Sequence, residues 1–194
     1  MNEPQDPQVH SLDARSLRGL AHPLRMQLLN ALRRGGPATA SQLAAKLGES
    51  SGATSYHLRQ LAAHGFVEDA PEHGKGRERW WKAVHMGVRF DETLLKDRDP
   101  DVRGAADLFM HEVANQHTRE LATWLGTRDD WSEAWQRASD MSDWTLSLTP
   151  ELALELTHKM HELVESYRAP ALDDSTPDTE QVRVHTHIIP IHTD

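Results

Sequence analysis

The sequence predicts a mainly α-helical protein with short β-strands, divided into two domains. Leucines recur at helical spacing in several segments, short segments alternate apolar and polar residues, and the net charge changes sign along the chain. We expect a disordered N-terminus at residues 1–10, a first domain at 11–88, and an acidic, mostly helical second domain with two short strands at 89–194.

The charge asymmetry indicates a nucleic-acid partner for the first domain. Residues 11–88 carry eleven Lys/Arg against six Asp/Glu, whereas residues 89–194 carry ten against twenty-two. A basic segment joined to an acidic one is typical of a DNA-binding module carried on a separate body. We expect the acidic half to face away from the duplex, because phosphate repels it.

Composition also excludes several classes of protein. No apolar run is long enough to span a bilayer, and the polar N-terminus does not fit a secretory signal, so we expect no membrane partner. The absence of cysteine excludes disulfides, cysteine nucleophiles and thiolate metal sites, and it suits a cytoplasmic protein. No phosphate-binding Gly-rich loop, G-x-S-x-G or H-E-x-x-H motif occurs, so we expect neither an enzyme nor a cofactor.

Four helices are predicted in the first domain, and each has a capping or helix-breaking residue at a boundary. They run from a cap at Ser11 or Asp13 to Ala21, from Pro23 to a stop at Gly35-Gly36-Pro37, from about Thr39 to Leu47, and from about Ser51 to His64.

A β-hairpin follows the fourth helix. Phe66 and Val67 begin one strand, residues 71–76 form a turn, and the returning strand runs from Arg79 to Val84. Of the adjacent Trp80 and Trp81, which point to opposite sides of a strand, at least one should be in the core. Two short helices joined by a Gly-containing turn and followed by a hairpin with a basic tip form a winged helix-turn-helix.

The helix at 51–64 is the predicted recognition helix. Thr54, Leu58 and Leu61 are spaced to anchor it to the core, and no acidic residue occurs between Ser51 and Val67. A small, polar and cationic outer face can enter a major groove, while cations of the wing at 71–79 contact phosphates. The residues assigned to DNA in this way are Ser51, Ser55, Tyr56, Arg59 and Gln60 on the helix, and Lys75, Arg77 and Arg79 on the wing.

Three stretches of the first domain match a known family in content and order, namely LRGLAHPLRMQLLNAL, ASQLAAKLGESSGATSYHLRQLAAHGFVEDA and GKGRERWWKAV. Through them, residues 12–85 resemble the arsenic-repressor (ArsR) type of winged-helix transcriptional regulator. It implies a dimeric, sequence-specific DNA-binding regulator, usually a repressor. Matched to the motif, the DNA-facing set comprises Ser51, Ser55, Tyr56, His57 and Arg59.

Structural roles are the alternative for some of these residues. His57 fits a position that packs between helices, and Tyr56 fits the base of the hairpin. Arg77 and Arg79 fit a solvated strand face.

In the second domain, a long helix is predicted from Arg98-Asp99-Pro100-Asp101 to about Leu125. Its apolar stripe must pack against the rest of this half or against a second subunit, and a homodimer suits two-fold DNA half-sites. A further helix is predicted at 131–141, and another begins at Thr149-Pro150 and reaches Arg168. Residues 144–148 and 182–189 alternate as paired strands would.

An effector site is less clearly marked. The four tryptophans Trp124, Trp131, Trp135 and Trp144 fit either an apolar ligand pocket or an ordinary core or dimer interface. Histidine pairs at helix or strand spacing are the candidates for a metal site. These are His158 with His161, and His185 with His187. The upstream Asp-x-His pair that accompanies such a late-helix site in metal-sensing relatives is absent, so we assign no metal, and the effector is unknown.

The leading hypothesis is a cytoplasmic, homodimeric DNA-binding transcriptional regulator that acts as a repressor. One alternative is a metal-responsive regulator that uses His158 and His161. Another is a winged-helix protein-interaction module that does not bind DNA.

Overall fold

The computed structural model describes residues 9–74, 78–167 and 177–192. The chain divides into two compact units, Met1–Ala122 and Thr123–Asp194. The helices and strands of the described residues, in chain order, are β1 (Val9–Ser11), α1 (Ala14–Leu20), α2 (Pro23–Gly35), β2 (Ala38–Thr39), α3 (Ala40–Leu47), α4 (Ser51–Ala63), β3 (Val67–Asp69), β4 (Trp80–Ala83), β5 (Gly87–Arg89), α5 (Pro100–Thr127), α6 (Glu133–Ala138) and α7 (Pro150–Ser166). The predicted fold class, mainly α with short β, is confirmed.

Local capping signals set the starts of the first helices, as predicted. Asp13 Oδ1 accepts a hydrogen bond from the Ser16 backbone N–H at 2.7 Å, which caps α1. Pro23 is the first residue of α2, and the Thr39 side chain caps α3. After α4, Gly65 has a φ of +75°, a left-handed conformation that favours glycine.

A three-stranded antiparallel sheet, in the order β2-β4-β3, contains the predicted hairpin. Trp81 on the central strand lies opposite both Ala38 and Asp69. Its side chain is only 3% exposed, whereas Trp80 is half-buried. The prediction that at least one of these tryptophans is in the core is confirmed.

A second, two-stranded sheet was not predicted. β1 pairs in parallel with β5, with Val9 opposite Gly87 and Ser11 opposite Arg89. Residues 9 and 10 are therefore ordered in a strand, which corrects the expectation of a disordered N-terminus at 1–10 for these two residues. The pairing joins positions far apart in sequence, and three-residue strands carry too little alternation to be recognised. Residues 1–8 lie outside the described residues.

The core of the first unit lies among α1, α2, α4, the three-stranded sheet and the first part of α5. Leu17, Leu28, Leu58 and Leu61 are fully buried, and Phe66 is 1% exposed. From α5, Val102, Ala106 and Phe109 join the same apolar cluster. The compact first unit consequently extends to residue 122, beyond the change in charge at residue 88.

The second unit holds the last residues of α5, together with α6 and α7. The Thr149 hydroxyl accepts a hydrogen bond from the Leu152 backbone N–H at 3.3 Å, and Pro150 begins α7. Both helices predicted after α5 therefore form, although α6 is shorter than residues 131–141. No residue of 123–167 or 177–192 is buried.

The two strands predicted in the second half do not form within this chain. Neither 144–148 nor 182–189 contains a strand residue, a turn or a bend. Alternation shows that side chains suit a half-buried sheet, but it does not show that a neighbouring strand exists in the same chain. Among the described helices, none combines the length and apolar character that crossing a bilayer requires.

Candidate nucleic-acid interface

The helix α4 is anchored by the three predicted residues. Thr54, Leu58 and Leu61 all have 0% exposure, because their spacing places them on one face of the helix. This face packs against α1, α2 and α3. Because this face is packed in the core, the opposite face of α4 points outward in a fixed orientation.

The outer face of α4 presents hydroxyl and cationic groups. Ser51 and Arg59 are exposed, Tyr56 is 52% exposed, and Ser55 and Gln60 are partly exposed. Among the described residues, Arg59 has no ion pair or hydrogen bond within the chain. Its guanidinium is therefore available to an external acceptor.

An open cleft of about 310 Å³ adjoins this face. It lies where the start of α3, the middle of α4 and the beginning of β4 meet. The Ser41 hydroxyl donates a hydrogen bond to Glu78 Oε1 at 3.1 Å on its wall. The lining residues are Thr39, Ala40, Ser41, Ser55, Arg59, Glu78, Arg79 and Trp81.

Arg79 is engaged within the wing. Its Nη2 donates a hydrogen bond to Asp69 Oδ2 at 2.8 Å, its Nε donates to Asp69 Oδ1, and its guanidinium carbon lies 4.1 Å from the centre of a Trp81 ring. The hydrogen bonds from Arg79 lower the pKa of the Asp69 carboxyl. Arg79 therefore borders the cleft as one member of an ion pair, in contrast to Arg59.

His57 lies at the edge of the buried face of α4. Its ring centre is 4.3 Å from that of His22, the N-cap of α2, and 5.1 Å from that of Tyr56. Burial, followed by the charges of His22 and Arg25, lowers the pKa of His57. This position agrees with the helix-packing alternative, and contact with His57 places Tyr56 beside α2.

His22 is held in the same small cluster by a backbone contact. Its Nδ1 accepts a hydrogen bond from the Leu24 N–H at 3.1 Å, so this nitrogen carries no proton. Burial, followed by the charge of Arg25, lowers the pKa of His22. The rings of His22 and His57 therefore lie in contact where α2 meets α4.

Some of the residues that line the cleft could not be recognised from the sequence. Thr39, Ser41 and Glu78 enter the cleft only because the start of α3 and β4 meet beside α4. No local motif marks this contact between distant segments. Of the predicted wing cations, Lys75 and Arg77 lie outside the described residues.

The candidate metal ligands do not form a cluster among the described residues. His158, His161 and His187 are exposed, and His185 is partly buried. No group of three or more His, Cys, Asp or Glu side chains able to hold a metal occurs in the part of the chain that the structure describes.

Comparison with known proteins supports the class of the first domain. A family model described as a helix-turn-helix domain matches residues 20–70. This range runs from the end of α1 to the end of β3 and includes α2, α3 and α4. No curated protein matches the chain.

Three solved structures are similar to larger parts of the chain. One is the homodimeric winged helix-turn-helix DNA-binding domain of Mb0332 from Mycobacterium bovis, described as a possible ArsR-family transcriptional regulator. It is 22% identical to this chain, the match covers 55% of this chain and 82% of that one, and the TM-score is 0.34. An apo mutant of ZitR from Lactococcus lactis is 15% identical (75% and 81% coverage, TM-score 0.30). RV1404 from Mycobacterium tuberculosis is 13% identical (81% and 85% coverage, TM-score 0.32).

The fold and the matched domain together define the class of the first unit. Helices α3 and α4 form the helix-turn-helix, and β3 and β4 supply the wing that follows it. The winged helix-turn-helix expected from the sequence is confirmed. Domains of this class bind DNA, so the match supports a DNA-binding regulator.

Proposed function

We propose that this chain is a transcriptional regulator of the ArsR type that binds double-stranded DNA as a homodimer in the cytoplasm. Each subunit inserts α4 into a major groove and lays the wing at 71–79 on the adjacent backbone, and binding represses the controlled genes. The proposal needs neither a cofactor nor catalytic activity. The observation that carries it is the outer face of α4, where Arg59, which has no ion pair among the described residues, lies with hydroxyl groups and α4 itself contributes no acidic residue.

Base reading is assigned to the outer face of α4. An arginine guanidinium matches the two acceptors on the major-groove edge of guanine, and glutamine matches adenine. Arg59 and Gln60 supply these groups, while Ser51, Ser55 and Tyr56 add hydroxyl donors. The buried anchor at Leu58 supports specificity, because a fixed helix presents these groups in one register.

Phosphate contacts are assigned to the cleft and the wing. Ser41 lies at the start of α3, where backbone N–H groups and the helix dipole favour an anion. Arg79 contributes less than Arg59, because it must first release Asp69. His57 acts by holding α4 against α2, and Lys75 and Arg77, which lie outside the described residues, are assigned to phosphate from the sequence alone.

A binding experiment tests this function directly. Genomic fragments retained by the full chain are sequenced, and affinity for a retained site is then measured by fluorescence anisotropy across a salt series. We expect affinity to fall steeply with salt, as phosphate contacts require. No binding even at low salt would contradict the proposal and favour a protein-interaction module.

A pair of arginine variants tests the assigned surface. Arg59→Ala should weaken binding to the retained site by roughly 1–3 kcal/mol if the guanidinium reads a guanine. Arg137→Ala is the matched control, because Arg137 is exposed in the second unit and pairs only with Glu133 among the described residues. Equal affinities for the wild type and Arg59→Ala would exclude α4 as the reading surface.

Glu78 gives a test of opposite sign. Its carboxylate lies in the cleft beside Arg59 and Arg79, where it repels phosphate. Glu78→Gln removes this charge and retains a group that can bond to Ser41, so binding to DNA of any sequence should become tighter. Unchanged or weaker binding would show that the cleft does not face the backbone.

A further inference from the structure

The second unit exposes large apolar side chains along two stretches that contain no helix, strand, turn or bend. These stretches are residues 139–149 and 179–192, and we call them the two extended segments. Besides Met141, which is 64% exposed, eight of their large apolar side chains are between 39% and 76% exposed. They are Trp144, Leu146, Leu148, Val182, Val184, Ile188, Ile189 and Ile191.

The exposed area is large enough for a stable interface. Eight side chains of this size, exposed to this extent, offer together on the order of the 800 Å² that each partner buries in a standard protein interface. Single exposed apolar residues are ordinary on protein surfaces, but this number within two short stretches is not.

The second extended segment is held against α7 by part of its length. Thr186 and Ile188 line a cleft of about 160 Å³ together with Thr157, Met160 and His161 of α7. The apolar side chains on either side of this attachment, such as Val184 and Ile189, remain open. The segment is therefore attached to α7 in its middle and exposes apolar side chains for contact with a partner on either side of this attachment.

The backbone and the side chains favour an identical segment as that partner. A stretch that belongs to no strand can pair with a second strand through its backbone N–H and C=O groups. Two copies related by a two-fold axis bring the same segment together in antiparallel orientation. Charge is low where the apolar side chains lie, because residues 144–148 carry no charged residue and 181–192 carry only Arg183 among Lys, Arg, Asp and Glu. The acidic residues of the two extended segments, Asp140, Asp143 and Glu180, precede these ranges.

We propose that the two extended segments bind a second copy of this chain, pairing with the same segments of that copy and burying their eight apolar side chains. This inference rests on the homodimer of the proposed function and names its surface.

The charge of the surrounding unit predicts how this contact responds to salt. Residues 123–194 carry five Lys/Arg against fourteen Asp/Glu, so two such units repel each other. Added salt screens this repulsion and should strengthen dimer formation, whereas the same salt weakens DNA binding.

Glutamate substitutions in the full chain test the proposed surface. Val184→Glu and Leu146→Glu each place a charge in an interface that excludes water, and each should raise the dimer dissociation constant by about tenfold or more in sedimentation equilibrium. Both positions are exposed in the single chain, so the fold should be kept. Leu154→Glu on α7 is the control, because this side chain is 57% exposed and lies outside the two extended segments.

Cysteine cross-linking provides an independent readout, because the natural chain has no cysteine. Single cysteines are placed in turn at positions 182–189 and oxidised mildly. At least one should give a disulfide-linked dimer, whereas Leu154→Cys should not. A chain that stays monomeric, a dimer unaffected by both Glu variants, or a dimer with no cross-link in 182–189 would overturn the inference.

The same variants separate this inference from the proposed function. If Val184→Glu disrupts the dimer and the wild type binds no DNA, the interface stands and the regulator function fails. If the wild type binds DNA and both Glu variants leave the dimer intact, the function stands and this interface fails.

Discussion

The two compact units differ in where their apolar side chains lie. In the first unit, leucines of α1, α2 and α4 are buried in a common core. Every buried residue among the described residues belongs to this unit. In the second unit, α6 and α7 have capped ends but no buried residue. The first unit thus has an internal source of stability, whereas the second leaves its large apolar side chains exposed.

The largest expected contrast comes from truncating one leucine in each unit. Leu58→Ala, at a position with 0% exposure, should lower the free energy of unfolding by about 2–5 kcal/mol, because it leaves a cavity under α4. Leu163→Ala, at a position with 61% exposure on α7, should change it by less than about 0.5 kcal/mol. Urea denaturation followed by circular dichroism measures both, and similar losses would remove the contrast between the units.

Glycines give the next contrast. A Cβ atom at Gly19 would collide with the His64 ring, so Gly19→Ala should destabilise the chain by about 1–3 kcal/mol. Gly126 has no neighbour within 4 Å of such an atom, so Gly126→Ala should stabilise α5 by about 0.4–1 kcal/mol. If the collision is the cause, adding His64→Ala should recover part of the loss at Gly19. Equal melting temperatures for the two glycine variants would contradict this packing.

The histidines of the first unit predict a pH dependence. Burial is the main cause that lowers the pKa of His10, His22, His57 and His64 below the ordinary 6.5. Below pH 6.5 the unfolded chain binds protons that the folded chain resists, so the folded state is favoured above that value and loses stability as the pH falls further. The free energy of unfolding, measured from pH 8 to 5.5, should decrease toward acid. A flat or rising curve would show that these rings are not buried in neutral form.

The smallest contrast concerns two threonines. The Thr54 hydroxyl is buried and makes no hydrogen bond within the described residues, so Thr54→Val should stabilise the chain by about 1 kcal/mol. The Thr157 hydroxyl donates a bond to the Ala153 carbonyl at 3.0 Å, so Thr157→Val should give no gain. Thermal melts measure both changes, and a loss of stability at Thr54 would indicate a hydrogen bond there.

Elements with local signals could be predicted from the sequence. Pro23, Thr39, Gly65 and the pair Thr149-Pro150 mark helix boundaries through their own backbone preferences or capping bonds, and the structure places helix ends there. The anchoring face of α4 followed from spacing alone, because the helical repeat fixes which residues share a side.

Features that depend on distant pairing could not be predicted. The β1–β5 pair joins residues about eighty positions apart in three-residue strands, and no local pattern marks it. Nor could the sequence reveal that Arg79 forms an ion pair with Asp69, since that contact follows from the register of β3 and β4. The prediction of a strand at 144–148 was wrong for a related reason. A strand needs a second strand to pair with, and the alternation of apolar and polar residues does not show whether one exists.

The chain holds two tyrosines, one in each unit, and they offer the most direct test of the account. Tyr56 on the outer face of α4 is 52% exposed, and Tyr167 after α7 is 80% exposed. Hydroxyl-radical oxidation of each is measured by mass spectrometry with and without saturating DNA. We predict that DNA lowers the oxidation rate of Tyr56 and leaves that of Tyr167 unchanged. Protection of Tyr167 with no change at Tyr56 would contradict the assignment of α4 to the DNA interface.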